Sequence, residues 1–420
     1  MKSGSTGRAS IANALWFVWL ILVLWLPLGC SDGAGDGGFG GLGTLGGERT
    51  AGAVLYVANS GSNDVSAYTM NPTTGVLTPM TGSQVLPISA PSAIVTSSNG
   101  LFAYVANRDT NNVTAFRVGT DGALLPGPST SGNPNQVAAG TEPRALAISP
   151  DSQFLFVVNS GSDDVTVFKI GSAGVLTRVP QSTGPTMPVA AGASSPFALA
   201  LAPTGRFLYV ADSASNTITV FQVDTAGLLT LVPPAGSGTN PIASGGTEPT
   251  ALALSPNGRF LYVTDGTSGR VSAFQVQTSG LLTLIPPASA NPVSTGGTTP
   301  NSLTVAPGGA HLYIANGGDS RNVAAFAIGS DGLLTLVQAT GATANPTPLP
   351  PEVTPVALTI SQDGRFLYVA NRGINVPEGT VSAYTIVSGS GTLGPLATLT
   401  GSSFRAGTAP SAVATFTPTP

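Results

Sequence analysis

From Val54 onward the chain alternates short apolar runs with clusters of Gly, Pro, Asn, Ser and Thr, a pattern that reads as strands joined by tight turns. One stretch shows the arrangement plainly. Thr250–Ser255 predicts a first strand (A), Phe260–Thr264 a second (B), Val271–Val276 a third (C) and Leu281–Ile285 a fourth (D). Apolar and polar positions alternate along Val271–Val276, as in a half-buried strand, whereas Ala251–Leu254 is apolar throughout and predicts a strand packed on both faces. Between A and B lies Ser255-Pro256-Asn257-Gly258, in which proline presets φ, asparagine tolerates the next turn position and glycine accepts the reversal.

The unit repeats. Leu55–Asn59 (LYVAN) recurs around Tyr104, Phe156, Tyr209, Tyr262, Tyr313 and Tyr368, at spacings of 48, 52, 53, 53, 51 and 55 residues. A period of about 50 residues built from four short strands is the signature of a propeller blade. Six copies are preceded by a proline (Pro91, Pro143, Pro196, Pro249, Pro300 and Pro355) standing 13 residues before the aromatic, a constancy that specifies a rigid hairpin. The first copy has no strand A before it, and Ala409–Ala414 resembles Ala90–Val95 without a strand B after it. The two incomplete ends fit one another. The expected fold is therefore all-β: a seven-bladed propeller of four-stranded antiparallel blades over residues 51–420, its ring closed by a C-terminal strand that completes the first blade.

LYVAN and the stretch Ser255–Val263 (SPNGRFLYV) resemble the Tyr-Val-Thr-Asn repeat propellers, in particular the seven-bladed lactonases, and the resemblance runs from Val54 to Thr417. It implies the blade architecture and, as an expectation, hydrolysis of a sugar lactone. The quoted residues are repeated and so belong to the scaffold; a site has to be sought where one blade departs from the others.

The segment before the blades is of another kind. Lys2 and Arg8 precede an apolar run from Ile11 to Leu28, which reads as an export signal over residues 1–29, with an uncleaved membrane-spanning helix as the alternative. Leu26–Cys30 (LPLGC) resembles the bacterial lipobox. Cys30 is the single cysteine of the chain and has no partner for an internal disulfide, so lipidation is expected there. Residues 30–50 then form a Gly-rich tether. The expected location is the bacterial cell envelope, outside the cytoplasm, with the membrane engaged through the lipid anchor and the propeller monomeric.

Charge narrows the chemistry. Charged residues make up 8% of the chain, Lys and Arg number 15 against 19 Asp and Glu, and there is no basic cluster of the kind that nucleic acid requires. One histidine and one cysteine supply no haem or copper ligand set, and no cofactor or metal is expected. The histidine, His311, stands where Phe102, Phe154, Phe207, Phe260 and Phe366 stand in other blades, and reads as a packing substitute near the A–B turns. Asn59, Asn107, Asn159, Asp212, Asp265, Asn316 and Asn371 close strand B in every copy; they read as turn residues bonded to their own backbone rather than as a calcium-binding ring.

Five charges vary between blades and fall on the face where propellers bind ligands: Arg108 and Arg372 after strand B, and Glu142, Arg144 and Glu248 beside the prolines that open strand A. Lactone hydrolysis wants a carboxylate to activate water and a cation for the developing oxyanion, so Glu142 or Glu248 with Arg144, Arg108 or Arg372 form the candidate set. The residues alone favour an envelope-anchored module that binds or scaffolds a protein or glycan, using the long D–A connections Pro233–Pro249 and Pro286–Pro300. A lactonase-type hydrolase is the alternative, disfavoured at this level because no channel-facing histidine is recognisable and a phosphorylated sugar lactone is a cytoplasmic metabolite.

Overall fold

The computed structural model describes residues 53–416 apart from 81–87, 128–135, 183, 185, 189–192, 235–239, 287–290, 339–344, 352, 375, 377 and 397–402. The export signal, Cys30 and the Gly-rich tether lie outside the described residues.

Seven antiparallel sheets follow one another in the order the repeats require. In blade 5, A is Pro249–Leu254, B Phe260–Asp265, C Arg270–Val276 and D Leu282–Leu284. Each strand A touches the A strands of the blades on either side, and the last touches the first, so the A strands surround one axis. Closure is as the sequence predicts: Pro410–Phe416 pairs with Val54–Asn59, Val54 standing opposite Phe416 and Tyr56 opposite Ala414. Strand A is less buried than its apolar sequence implies. Thr250, Ala251, Ala253 and Leu254 are half-buried, because small side chains on the innermost strands leave the axis incompletely filled.

Six blades carry a further short strand that the four-strand pattern does not contain. Strand D covers only the end of C; in blade 5 it pairs with Phe274–Val276. The start of C would expose its backbone groups, and the D–A connection supplies them with partners, Val293–Ser294 pairing with Arg270–Val271. Asparagine completes the join. Asn291 accepts from the Ala273 N–H at 2.9 Å and donates to the carbonyls of Ala273 (2.7 Å) and Ile285 (2.9 Å), and Asn240 and Asn345 repeat this at Val220 and Ala325. These parts of the connections are stitched to the blade.

The core lies between blades, as seven apolar clusters that each join two neighbours. The strand-B tyrosine of each blade is wholly buried, and its hydroxyl donates to the carbonyl of the C–D turn glycine in the next blade: Tyr104 to Gly174 (3.2 Å), Tyr209 to Gly280 (3.0 Å), Tyr262 to Gly332 (3.1 Å), Tyr313 to Gly391 (2.9 Å), Tyr368 to Gly75 (2.9 Å), and Tyr56 to Gly122. Blade 3 has Phe156, which has no hydroxyl. Buried Gln181 makes good the loss, its Nε2 donating to Gly227 O at 3.4 Å and its Oε1 accepting from the Leu229 N–H at 2.7 Å.

The same turn glycines sit at positive φ under the residue that opens strand B of the preceding blade, which is Val54 over Gly122 and an aromatic ring over the others, Phe260 on Gly332 for example; a Cβ there would stand 2.4 Å from the ring. His311 occupies this place against Gly391, half-buried, and burial lowers its pKa. It is a packing residue.

Candidate active site

The site is built on the residues that flank the constant prolines. The residue before each proline adopts a left-handed backbone in six blades (Ala90, Glu142, Ser195, Glu248, Thr299 and Ala409), a conformation that costs an L-residue energy and needs a fixed partner. In four of these blades the partner is an Asn or Asp on the B–C hairpin of the preceding blade: Asn63 accepts from the Ala90 N–H at 2.7 Å, Asn111 from Glu142 at 2.8 Å, Asp163 from Ser195 at 2.6 Å and Asn216 from Glu248 at 2.6 Å. In these four blades the turn before strand A is thereby fastened to the hairpin of the preceding blade, and the residue after the proline is aimed at the axis.

Those residues are Ser411, Ser92, Arg144, Phe197, Thr250, Asn301 and Val356, and all seven line one pocket of about 310 Å³ at the mouth of the ring. That volume falls within the range of small-molecule sites, ~300–1,000 Å³. Arg108, which follows strand B of blade 2, and Arg372, near the end of strand B of blade 7, line the same pocket, as do Ser60 and Thr354. Three arginines therefore line a pocket whose lining contains no carboxylate and no imidazole. The cations come from blades 7, 2 and 3, blade 1 between them contributes Ser60 and Ser411, and blades 4 to 6 contribute Phe197, Thr250 and Asn301.

Of the five charges singled out in the sequence, the structure brings together Arg108, Arg144 and Arg372 and leaves Glu142 and Glu248 outside the pocket. The left-handed turn explains the separation. It directs both glutamates to exposed positions over the B–C hairpin of their own blades, where Ser160 Oγ donates to the Glu142 carboxylate at 3.3 Å and the Thr267 hydroxyl donates to that of Glu248. Arg108 has an exposed acid beside it, Asp109, at 3.4 Å.

Arg144 is the most constrained of the three. Its guanidinium lies over the ring of Phe197, 5.0 Å from the centroid, and its Nε is buried without a hydrogen-bond partner. Burial lowers its pKa; the charge of Arg108 adds to that effect and the charge of Glu142 opposes it. Two like charges held together at a pocket mouth create a field that an anion relieves.

The Asn and Asp residues that close strand B are fully buried and do not bond chiefly to their own backbone, as the sequence suggested. They reach across the hairpin to strand C: Asn59 to Asp64 (2.7 Å), Asn107 to Asn112 (2.7 Å), Asn159 to Asp164 (2.7 Å) and Asn316 to Asn322 (2.7 Å). In blades 4 and 5 the facing groups are hydroxyl donors and the residue is an acid: Asp212 accepts from Thr219 at 2.7 Å, and Asp265 from Ser244 at 2.8 Å and Ser272 at 3.4 Å. Burial pushes each of these carboxyls up to about 7. Among the described residues, no group of three or more His, Cys, Asp or Glu side chains is placed to share a metal ion.

The model of the family described as "Lactonase, 7-bladed beta-propeller" matches residues 49–190, 136–293 and 239–350. The chain belongs to the seven-bladed β-propeller lactonase family. Curated relatives include the 6-phosphogluconolactonase of Pectobacterium carotovorum, 28% identical over 198 residues, and that of Serratia proteamaculans, 26% identical over 193 residues; each alignment covers 46% of this chain. The chain spans about half the length of those relatives, 54% and 55%. Among solved structures, a protein from Lactobacillus plantarum superposes with a TM-score of 0.65 at 20% identity, covering 87% of this chain and 99% of that one. The periplasmic gluconolactonase of Pseudomonas aeruginosa does so with a TM-score of 0.62 at 20% identity, covering 86% and 98%. At these identities the structures share the fold.

The sequence did not single out Phe197 or the ring to which it belongs. Its signal was available: the residue after each constant proline is Ser, Arg, Phe, Thr, Asn, Val or Ser, the variation expected of a position that scaffolding does not fix.

Proposed function

We propose that the chain is a lactonase-type hydrolase that opens a small lactone to its acid anion in the arginine-lined mouth of the propeller. The observation that carries this reading is the convergence of Arg108, Arg144 and Arg372 on one pocket without a lining carboxylate, in a chain of the lactonase family. Water adds to the lactone carbonyl, the carbonyl oxygen becomes an oxyanion, the ring C–O bond breaks, and a hydroxy acid leaves as a carboxylate with release of a proton. Negative charge is thus created on going to the transition state and kept in the product, where preorganised guanidinium donors stabilise it most. Glu142, two residues before Arg144, is turned out of the pocket onto Ser160, so we assign it the water's proton only through an intervening water or after it leaves that hydrogen bond.

The test is hydrolysis of D-glucono-1,5-lactone, followed by proton release. Arg144→Met should lower kcat/KM about 30-fold or more, and Glu142→Gln should lower kcat. Turnover that is insensitive to both, or absent from the native chain, contradicts the reading.

A second reading, binding of a small anion or an anionic glycan without turnover, is favoured by one observation: neither glutamate lines the pocket. Gluconate binding without lactone hydrolysis would select it. The export signal and Cys30 support placement of either activity in the cell envelope, where an unphosphorylated lactone is the available substrate. Cys30→Ser should release the protein from the membrane fraction; unchanged retention with an uncleaved signal would argue for a spanning helix instead.

A further inference from the structure

The ring of residues that follow the prolines obeys a rule. Ser92 donates to the carbonyl of Pro143 in the next blade at 2.6 Å, Thr250 to Pro300 at 2.6 Å, Asn301 to Pro355 at 2.9 Å, and Ser411 to Pro91. Each is a short side chain spent on joining one blade to the next. Three members break the rule, Val356 of blade 7 by itself and the consecutive Arg144 of blade 3 and Phe197 of blade 4 together. Phe197 has nothing to donate, and Arg144 places its guanidinium over the Phe197 ring at 5.0 Å.

The pairing bears on recognition because of what it leaves free. A Ser, Thr or Asn at 197 would offer Arg144 a hydrogen bond and occupy its donors, and the neighbouring Glu142 carboxylate is a competing partner. An aromatic face attracts the guanidinium through its quadrupole without taking any N–H. It also offsets the repulsion from Arg108 and the burial of an unpartnered Nε. The cation is held in place with its donors uncommitted, as a receptor for an oxyanion requires.

We propose that Phe197 is a positioning residue for anion recognition, holding Arg144 toward the pocket so that the acid anion, and the lactone leading to it, are bound by a preformed guanidinium. This rests on the reading of the pocket given above, and the experiment separates the two. Sodium gluconate binding is measured by calorimetry and D-glucono-1,5-lactone hydrolysis by proton release, on the full chain. Phe197→Leu, which keeps apolar bulk and removes the ring, should weaken gluconate binding and raise KM roughly 5-fold, with kcat changed less than about 2-fold. Phe197→Trp should restore native affinity, and Phe197→Leu should have no further effect in an Arg144→Met background.

Equal affinity of Phe197→Leu and the native chain overturns the proposal, as does an equal loss in the Arg144→Met background, which would mark a general structural effect. If Phe197→Leu melts early, Phe197→Tyr and Phe197→Trp decide the matter, since a retained ring must retain native KM. Unchanged affinity in Arg108→Met, Arg144→Met and Arg372→Met, or no gluconate binding by the native chain, overturns the pocket reading itself. Weakened binding in those variants with a silent Phe197 overturns only the positioning role.

Discussion

The joints deep between blades and the ring at the mouth are both built seven times, yet they tolerate variation differently. At the deep joints six tyrosines donate to six turn glycines, and where blade 3 lacks the hydroxyl a buried glutamine from a connection restores that bond and adds a second, to the Leu229 N–H. At the mouth, four members keep the blade-to-blade bond and Arg144, Phe197 and Val356 do not, with no substitute donor taking their place. A deviation that is compensated preserves the scaffold. A deviation that is left uncompensated, and that leaves the buried Arg144 Nε without a partner, marks the place where the scaffold was traded for recognition.

The strongest way to break the comparison is to remove the closing strand. Deleting 410–416 strips blade 1 of strand A and exposes the edge of Val54–Asn59, and the melting temperature should fall by roughly 6 °C, corresponding to a loss on the order of 5 kcal/mol. A truncated chain that melts like the native one, followed by circular dichroism, would mean that the ring does not depend on this join.

Next in size is the glutamine. Gln181→Ala leaves the Gly227 carbonyl and the Leu229 N–H buried without their partner, at a cost of ~1–3 kcal/mol in denaturant unfolding. Adding Phe156→Tyr should recover part of that, because it reinstates the hydroxyl used elsewhere in the ring. Failure of the tyrosine to rescue would show that the two devices are not equivalent.

These two features also show what the sequence discloses. Closure could be foreseen because Ala409–Ala414 repeats a pattern whose partner was visibly missing, and blade count and strand order follow from the spacing of LYVAN alone. Gln181 could not, since it lies in a connection with no repeat and matters only through contacts 46 and 48 residues away. The site was half legible for the same reason. Arg108, Arg144 and Arg372 stand out as charges in a chain poor in them, but which charges meet depends on the left-handed turn before each proline, and it turns Glu142 and Glu248 away from the pocket.

A smaller effect separates blades 4 and 5 from the rest. The Asp212 and Asp265 carboxyls titrate near 7 in the folded chain, against roughly 3.9 when unfolded, so between these values the folded state holds more protons. Stability should therefore rise as pH falls from 8 toward 5, by on the order of 1 kcal/mol per pH unit for each acid. Asp212→Asn with Asp265→Asn should flatten this dependence and leave the chain more stable at pH 8. A double variant whose profile from pH 5 to 8 parallels the native one would show that the two acids are not buried as described.

The most direct test of the site is a crystal structure of the chain soaked with sodium gluconate. The account predicts the carboxylate within hydrogen-bonding distance of Arg144 and of Arg108 or Arg372, with Arg144 still resting on Phe197. Gluconate bound elsewhere, or a mouth that stays empty while lactone hydrolysis proceeds, would contradict it.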